Sequence, residues 1–194
     1  MRNAMRIFFF KILDKLLKKA DYHTIEYYKY VSQGRLDVGY GMRFRRNSSI
    51  VFLDEGRDSR ITFRDNCEIR QFCVFTALGK GKLSIDDDCF FNNGCSITAL
   101  GEIKIGKNCL FGEGVRIYDH NHKYKEVIAI RDQGFSIGKV SIGNNCWFGS
   151  NCIILNNVTI GDNVVVGANT IVHKSIESNS IVRNNSDIIS LVYR

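Results

Sequence analysis

Residues 118–124 (YDHNHKY) gather the side chains best suited to chemistry. They include His120 and His122, two of the chain's four histidines, beside Asp119 and Tyr124. Histidine changes charge nearest physiological pH, so one at the root of a loop on a rigid scaffold is well placed as a general base. His120, next to a carboxylate, is the candidate base, with Asp119, His122 and Tyr124 as candidate acceptor contacts. The same residue types are ordinary in solvated loops, and residue types alone leave both readings open. The seven cysteines are a second group that invites a function. Metal sites favour convergent spacings such as C-x2-C, whereas Cys67 and Cys73, Cys89 and Cys95, and Cys146 and Cys152 recur at six. A zinc hydration site needs three converging histidines; His120 and His122 have no third partner nearby, so no metal is expected.

The interval of six comes from the scaffold. Residues 142–172 place an apolar leader every sixth position: Ile142, Phe148, Ile154, Ile160, Val166 and Val172. Gly commonly follows each leader, then a pair rich in Asn and Asp, then a small residue four after it. Side chains alternate along a strand, so the leader and the residue two before it point inward while the one between points out. Cys146 and Phe148 therefore face in, and Trp147 faces out. Hexapeptide periodicity of this kind marks a parallel β-helix. The phase extends back through Val38, Phe44, Ile50; Phe63, Ile69, Phe75; Ile85, Phe91, Ile97; and Ile105, Phe111, Ile117. Wherever the spacing stretches beyond six, it does so after the third leader of a trio and never within one. The chain thus reads as about six triangular coils with every insertion at a single corner. All seven cysteines fall four after a leader, a small inward-facing position, which makes them structural. An odd number of interior thiols also fits a reducing compartment.

At 194 residues the chain suits one domain. Residues 1–37 form a basic arm with an amphipathic helix over residues 3–20 and a second short helix through Tyr27, Tyr28 and Val31 ended by Gly34. Residues 38–183 form the β-helix with a long excursion at 118–139, and 184–194 form a tail whose apolar stretch packs back on a coil. Residues 1–46 hold eleven Lys and Arg against four Asp and Glu, 11 − 4 = +7, and the rest of the chain is neutral at sixteen each. Such an arm suits an anionic lipid surface or anionic glycan. No nucleic-acid motif accompanies it. No apolar run reaches the roughly 20 residues that span a bilayer. The expected location is cytoplasmic, peripheral at the inner face of the membrane.

The hexapeptide run, DHNH at a loop root, and the segments IGNNCWFGSN and IGDNVVVGANTIVHK resemble the hexapeptide-repeat acetyltransferases, including the polysaccharide O-acetyltransferase branch. The resemblance covers roughly residues 60–180. It implies a left-handed parallel β-helix assembled as a homotrimer, with acetyl-CoA and the acceptor meeting between subunits. Position by position it makes His120 the base that deprotonates a sugar hydroxyl and Asn92 an acceptor contact. Trp147 lies beside the thioester, and the Ser150 backbone N–H holds its oxygen. Ala168 and Lys174 line the pantetheine and nucleotide path. The family commonly ends in a G-x-P-A-K/R segment; here NNSDIIS stands in its place, with Arg183 the nearest substitute. The implied reaction is acetyl transfer to a sugar hydroxyl of a bacterial-type surface polysaccharide (capsule or O-antigen), or to its precursor. The rivals are an N-acyltransferase of an amino sugar nucleotide and a non-catalytic scaffold. The first often carries an added sugar-nucleotide domain, for which about 35 residues before the repeats leave no room.

Overall fold

The computed structural model describes residues 23–53, 58–183 and the strand Ile188–Ile189. The helix expected over residues 3–20 lies outside them. Short parallel strands stack into three sheets that form the walls of a prism. The first face runs from Leu36–Val38 to Val158–Ile160, the second from Arg43–Phe44 to Ile181–Val182, and the third from Ser49–Leu53 to Ile171–Val172. Register follows the leaders: Ile85, Ile105 and Ile142 pair on the first face, Phe91, Phe111 and Phe148 on the second. The result is a left-handed parallel β-helix.

Every leader from Phe44 to Val172 is buried. Phe91, Phe111 and Phe148 stack face to face, with centroids 4.4 and 5.0 Å apart. Each inward ring removes apolar area from water at about 25 cal/mol per Å², and that term drives the coil closed. All seven cysteines are buried and unbridged. Each thiol donates to the carbonyl of the residue just after a leader in the next coil, as Cys89 does to Gly106 (3.1 Å) and Cys152 to Gly167 (3.1 Å). Cysteine at this position is therefore both a small apolar filler and a donor to a corner carbonyl that strand pairing leaves over.

The corners obey one turn rule. The residue three after the leader takes a left-handed conformation at the first and second corners, and it is Asn, Asp or Gly everywhere except Phe72. These are the residues for which that conformation is cheap. The six expected coils are present, with one addition. Ile176 bridges to Ile160, and Ile181–Val182 adds to the second face, giving a partial seventh coil. The repeat hid it because the step from Val172 to Ile176 shortens to four. Ile188–Ile189 then pairs antiparallel with Ile181–Val182, so part of the tail does fold back. At the other end, a helix over residues 23–32 buries Ile25, and its Tyr28 ring meets Phe44 at 5.8 Å. No helix among the described residues is long and apolar enough to cross a membrane.

Candidate active site

The candidate residues fall into two groups on different corners. At the third corner the chain leaves strand Arg116–Tyr118 and enters the long excursion. This segment is a hairpin: His120–His122 pairs antiparallel with Phe135–Ile137. Gln133, nearly buried, ties it across its width by donating to the carbonyls of Glu126 (3.1 Å) and Ile128 (2.9 Å). Its side-chain oxygen accepts from the Glu126 N–H at 3.1 Å.

Asp119 corrects its expected role as an acceptor contact. Its side chain is 0% exposed, so no substrate reaches it in the chain as described. Oδ1 accepts from the Leu100 N–H (2.9 Å) and faces His120 Nδ1 at 3.1 Å; Oδ2 accepts from the Gly101 N–H (2.8 Å). A buried carboxylate needs such partners, and here two come from the preceding coil. Gly101 permits this arrangement, since a Cβ there would lie 2.4 Å from the Gly138 carbonyl and 2.7 Å from Ile137 Cγ2. The carboxylate assigns the proton of His120 to Nδ1 and leaves Nε2 as the acceptor. His120 is 14% exposed at its side chain and edge-on to Tyr118 (6.2 Å) and Phe135 (5.4 Å). The ring is thus fixed in direction as well as in tautomer. His122 is exposed and lies against Phe135 at 4.4 Å, and Tyr124 is exposed further along the hairpin.

The second group lies on the second face and the corner after it. Trp147 stands on the outer surface of that face, 54% exposed, paired in register with Leu110 and Val165. At the corner the residue after each leader changes along the stack. Arg45, Arg70 and Asn92 give way to Gly112, Gly149 and Gly167. A Cβ at Gly112 would sit 2.7 Å from the Ser150 nitrogen, and one at Gly149 would sit 2.5 Å from the Ala168 nitrogen. Backbone therefore forms the edge there. Several amides two after a leader are capped by a side-chain oxygen from the next coil, as Asp65 N–H is by Asp87 (3.1 Å) and Gln71 N–H by Asn93 (3.2 Å), while those of Asp87 and Asn93 bond the side chain of the residue before them. The residue placed to cap Ser150 is Ala168, which has no acceptor atom. Among the described residues the Ser150 N–H makes no hydrogen bond, a donor aimed at nothing of its own chain. Asn92, half-buried two coils back, uses Oδ1 on the Asn93 N–H (2.9 Å). Lys174 and Arg183 meet at the C-terminal end, where with Asn169, His173 and Val182 they line a cavity of about 580 Å³.

The structure therefore brings Trp147, Ser150 and Ala168 together, and separately His120, His122 and Tyr124. The third face lies between the groups, and the face bearing Trp147 is opposite the corner bearing His120. The sequence did not disclose the Asp119 anchor, the Gly101 clearance or the uncapped amide. The resemblance had singled out the Ser150 N–H, but not that Ala168 leaves it uncapped. Among the described residues, no three His, Cys, Asp or Glu side chains converge on a possible metal position.

Residues 139–174 match the family model described as bacterial transferase hexapeptide (six repeats). Among solved structures, one variant of AntD, an N-acyltransferase from Bacillus cereus, in complex with dTDP-4-amino-4,6-dideoxyglucose and coenzyme A, aligns with TM-score 0.65 and 20% identity over 86% of this chain and 89% of its own. A galactoside acetyltransferase in complex with coenzyme A aligns with TM-score 0.54 and 23% identity over 85% of this chain and 70% of its own. These likenesses show the fold. They also remove one argument made from length: 89% of an N-acyltransferase is matched, so the amine-acylating rival needs no larger chain.

Proposed function

We propose that this hexapeptide-repeat chain is an acetyl-CoA-dependent O-acetyltransferase acting on a sugar hydroxyl of a surface polysaccharide or its precursor, in an assembly that forms each site between two copies. The observation that carries the reading is the Asp119–His120 pair on one corner and the uncapped Ser150 N–H on another. An alcohol must lose its proton as it attacks, whereas an amine can attack first; a histidine locked with Nε2 as acceptor suits the alcohol. His120 Nε2 takes the hydroxyl proton as the oxygen bonds to the thioester carbonyl carbon. The Ser150 N–H of the neighbouring copy stabilises the charge gathering on the carbonyl oxygen, a donor worth about 10²–10³ in rate. The carbon–sulfur bond then breaks, and the proton on His120 passes to the departing thiolate.

The bare second corner suits the slim pantetheine arm, Trp147 flanks it, and the cavity with Lys174 and Arg183 offers two cations for the phosphates of acetyl-CoA. The exposed apolar side chains of the hairpin, Val127, Ile128, Ile130 and Ile137 among them, offer a surface to cover the second face of the next copy, with Leu110 and Trp147. A head-to-tail contact of this kind closes into a ring, here a homotrimer. The basic excess of residues 1–46 would hold the enzyme at the cytoplasmic face of an anionic membrane.

The test is release of CoA thiol from acetyl-CoA across a panel of sugar acceptors, with wild type and His120→Ala at equal oligomeric state. Acceptor-dependent release that the substitution abolishes supports the reading. Activity confined to amino-sugar acceptors would replace O- by N-acylation, and release unaffected by His120→Ala would overturn the base.

A further inference from the structure

Phe72 breaks the turn rule that every other first and second corner obeys. Its φ is +61°, in the left-handed region, where its equivalents are Asn47, Gly94, Gly114, Asn151 and Asn169 along the same corner. A bulky residue there is strained. The ring recovers nothing by burial, being 59% exposed. On its C-terminal side the neighbouring coil offers Gly94, where an added Cβ would meet nothing closer than the Gly114 nitrogen at 4.0 Å. The edge beside the ring is open.

The same stretch of corner is rich in arginine. Arg45 and Arg46 lie one coil before Phe72, Arg70 lies two residues before it, and Arg43 stands on the adjoining face. Glu68 is the carboxylate among them, and it pairs with Arg43 and with Arg70 (Nε to Oε1 3.1 Å). Four guanidinium groups thus gather on one edge, two of them paired with Glu68. Glu113, the next carboxylate down the corner, lies within 3.4 Å of Asn93 Nδ2 and faces the coil of Ser150. The polarity thus changes along one edge: cations and an exposed ring over the first two coils, Asn92 and Asn93 on the third, then glycine and the uncapped amide. Phe72 lies three coils before Ser150, about 14 Å at a strand spacing of about 4.8 Å.

We infer that the N-terminal coils of the second corner bind a sugar carried on a diphosphate, the arginines taking the phosphates and the Phe72 ring stacking on the attached group, with the sugar reaching over Asn92 toward Ser150. This deepens the acyltransferase reading and rests on it for the direction of the sugar. Guanidinium forks match phosphate oxygens in charge and geometry. An exposed aromatic face on an anion-binding edge matches a nucleobase.

The test needs no acyl transfer. Binding of dTDP and UDP to the full chain is measured by calorimetry, without acetyl-CoA, for wild type, Phe72→Asn and Arg70→Gln. Wild type is expected to bind a nucleoside diphosphate, and each substitution to weaken it at least tenfold. Phe72→Asn restores the residue the corner otherwise uses, so its Tm is expected to rise by about 2–4 °C, which separates lost binding from lost folding. A polyprenyl diphosphate sugar in micelles forms the second arm. Binding that needs Arg70 and not Phe72 would keep the diphosphate and assign it to a lipid carrier. Unchanged binding of both ligands in both variants, no binding of either by wild type, or loss of the oligomer in Phe72→Asn would overturn the subsite. A chain that binds the nucleotide yet never releases thiol from acetyl-CoA would overturn the acyltransferase reading and leave the subsite standing.

Discussion

The first and second corners of the prism share one turn and differ in what closes it. Apart from Phe72, both place Asn, Asp or Gly three after the leader, and both carry glycines directly after it in the later coils. At the first corner a ladder of side chains fills the space those glycines leave. Asn144 Oδ1 accepts from the Lys107 N–H (2.9 Å), Asp162 Oδ1 from the Asn144 N–H (2.6 Å), and Ser178 Oγ from the Asp162 N–H (2.9 Å). At the second corner the ladder stops below Asn93, and the equivalents are Glu113, Ser150 and Ala168. The first corner is sealed, whereas at the second the N–H groups of Glu113, Ser150 and Ala168 make no hydrogen bond among the described residues. A β-helix that needed only stability would seal both. On the proposed function, acyl-CoA completes the hydrogen bonds of the second corner.

The comparison can be broken most severely from the third corner, which holds the proposed base. His120→Ala is expected to lower kcat by about 10²–10⁴ with the oligomer intact, read by thiol release. Next, Ala168→Asn rebuilds the sealed ladder in the open corner by placing an oxygen beside the Ser150 N–H. The expected result is a kcat loss of about 10²–10³ with Tm unchanged or higher, a combination that a merely disruptive substitution does not give. The reverse experiment, Asn144→Ala, opens the sealed corner. It should cost about 0.5–1.5 kcal/mol of stability in denaturant unfolding and leave kcat alone.

The smallest effect lies inside the second corner. Burial raises the Cys152 thiol, whose neighbours in its column are Val115 and Thr170 rather than other thiols. A pKa raised in the folded state contributes stability that is full below the unfolded value, about 8.5, and is lost as pH rises above it. Cys152→Val should therefore make the decline of stability above about pH 8.5 shallower, measured as denaturant midpoints from pH 7 to 10.

These contrasts also show what could be read in advance. The leaders, the inward cysteines and the outward Trp147 were legible because a period of six fixes which way each side chain points. The third corner was legible as an excursion, since insertions there do not disturb the coils. Asp119 was not, because its burial depends on amides of Leu100 and Gly101 one coil away. The partial seventh coil was hidden by a shortened step at Val172, and the strain at Phe72 by a turn rule that only the backbone reveals. Ala168 is the instructive case. The resemblance placed it on the pantetheine path; as the missing rung of a ladder it explains the uncapped Ser150 amide beside it.

The central claim is that base and donor belong to different copies. Mixing His120→Ala with Ala168→Asn, each inactive alone, tests it directly. Refolded or co-expressed at equal amounts in a cyclic assembly, one interface in four pairs an intact His120 with an intact second corner. Thiol release should recover to about a quarter of wild type. No recovery in assemblies shown to contain both variants would contradict the account and place the whole site within one chain.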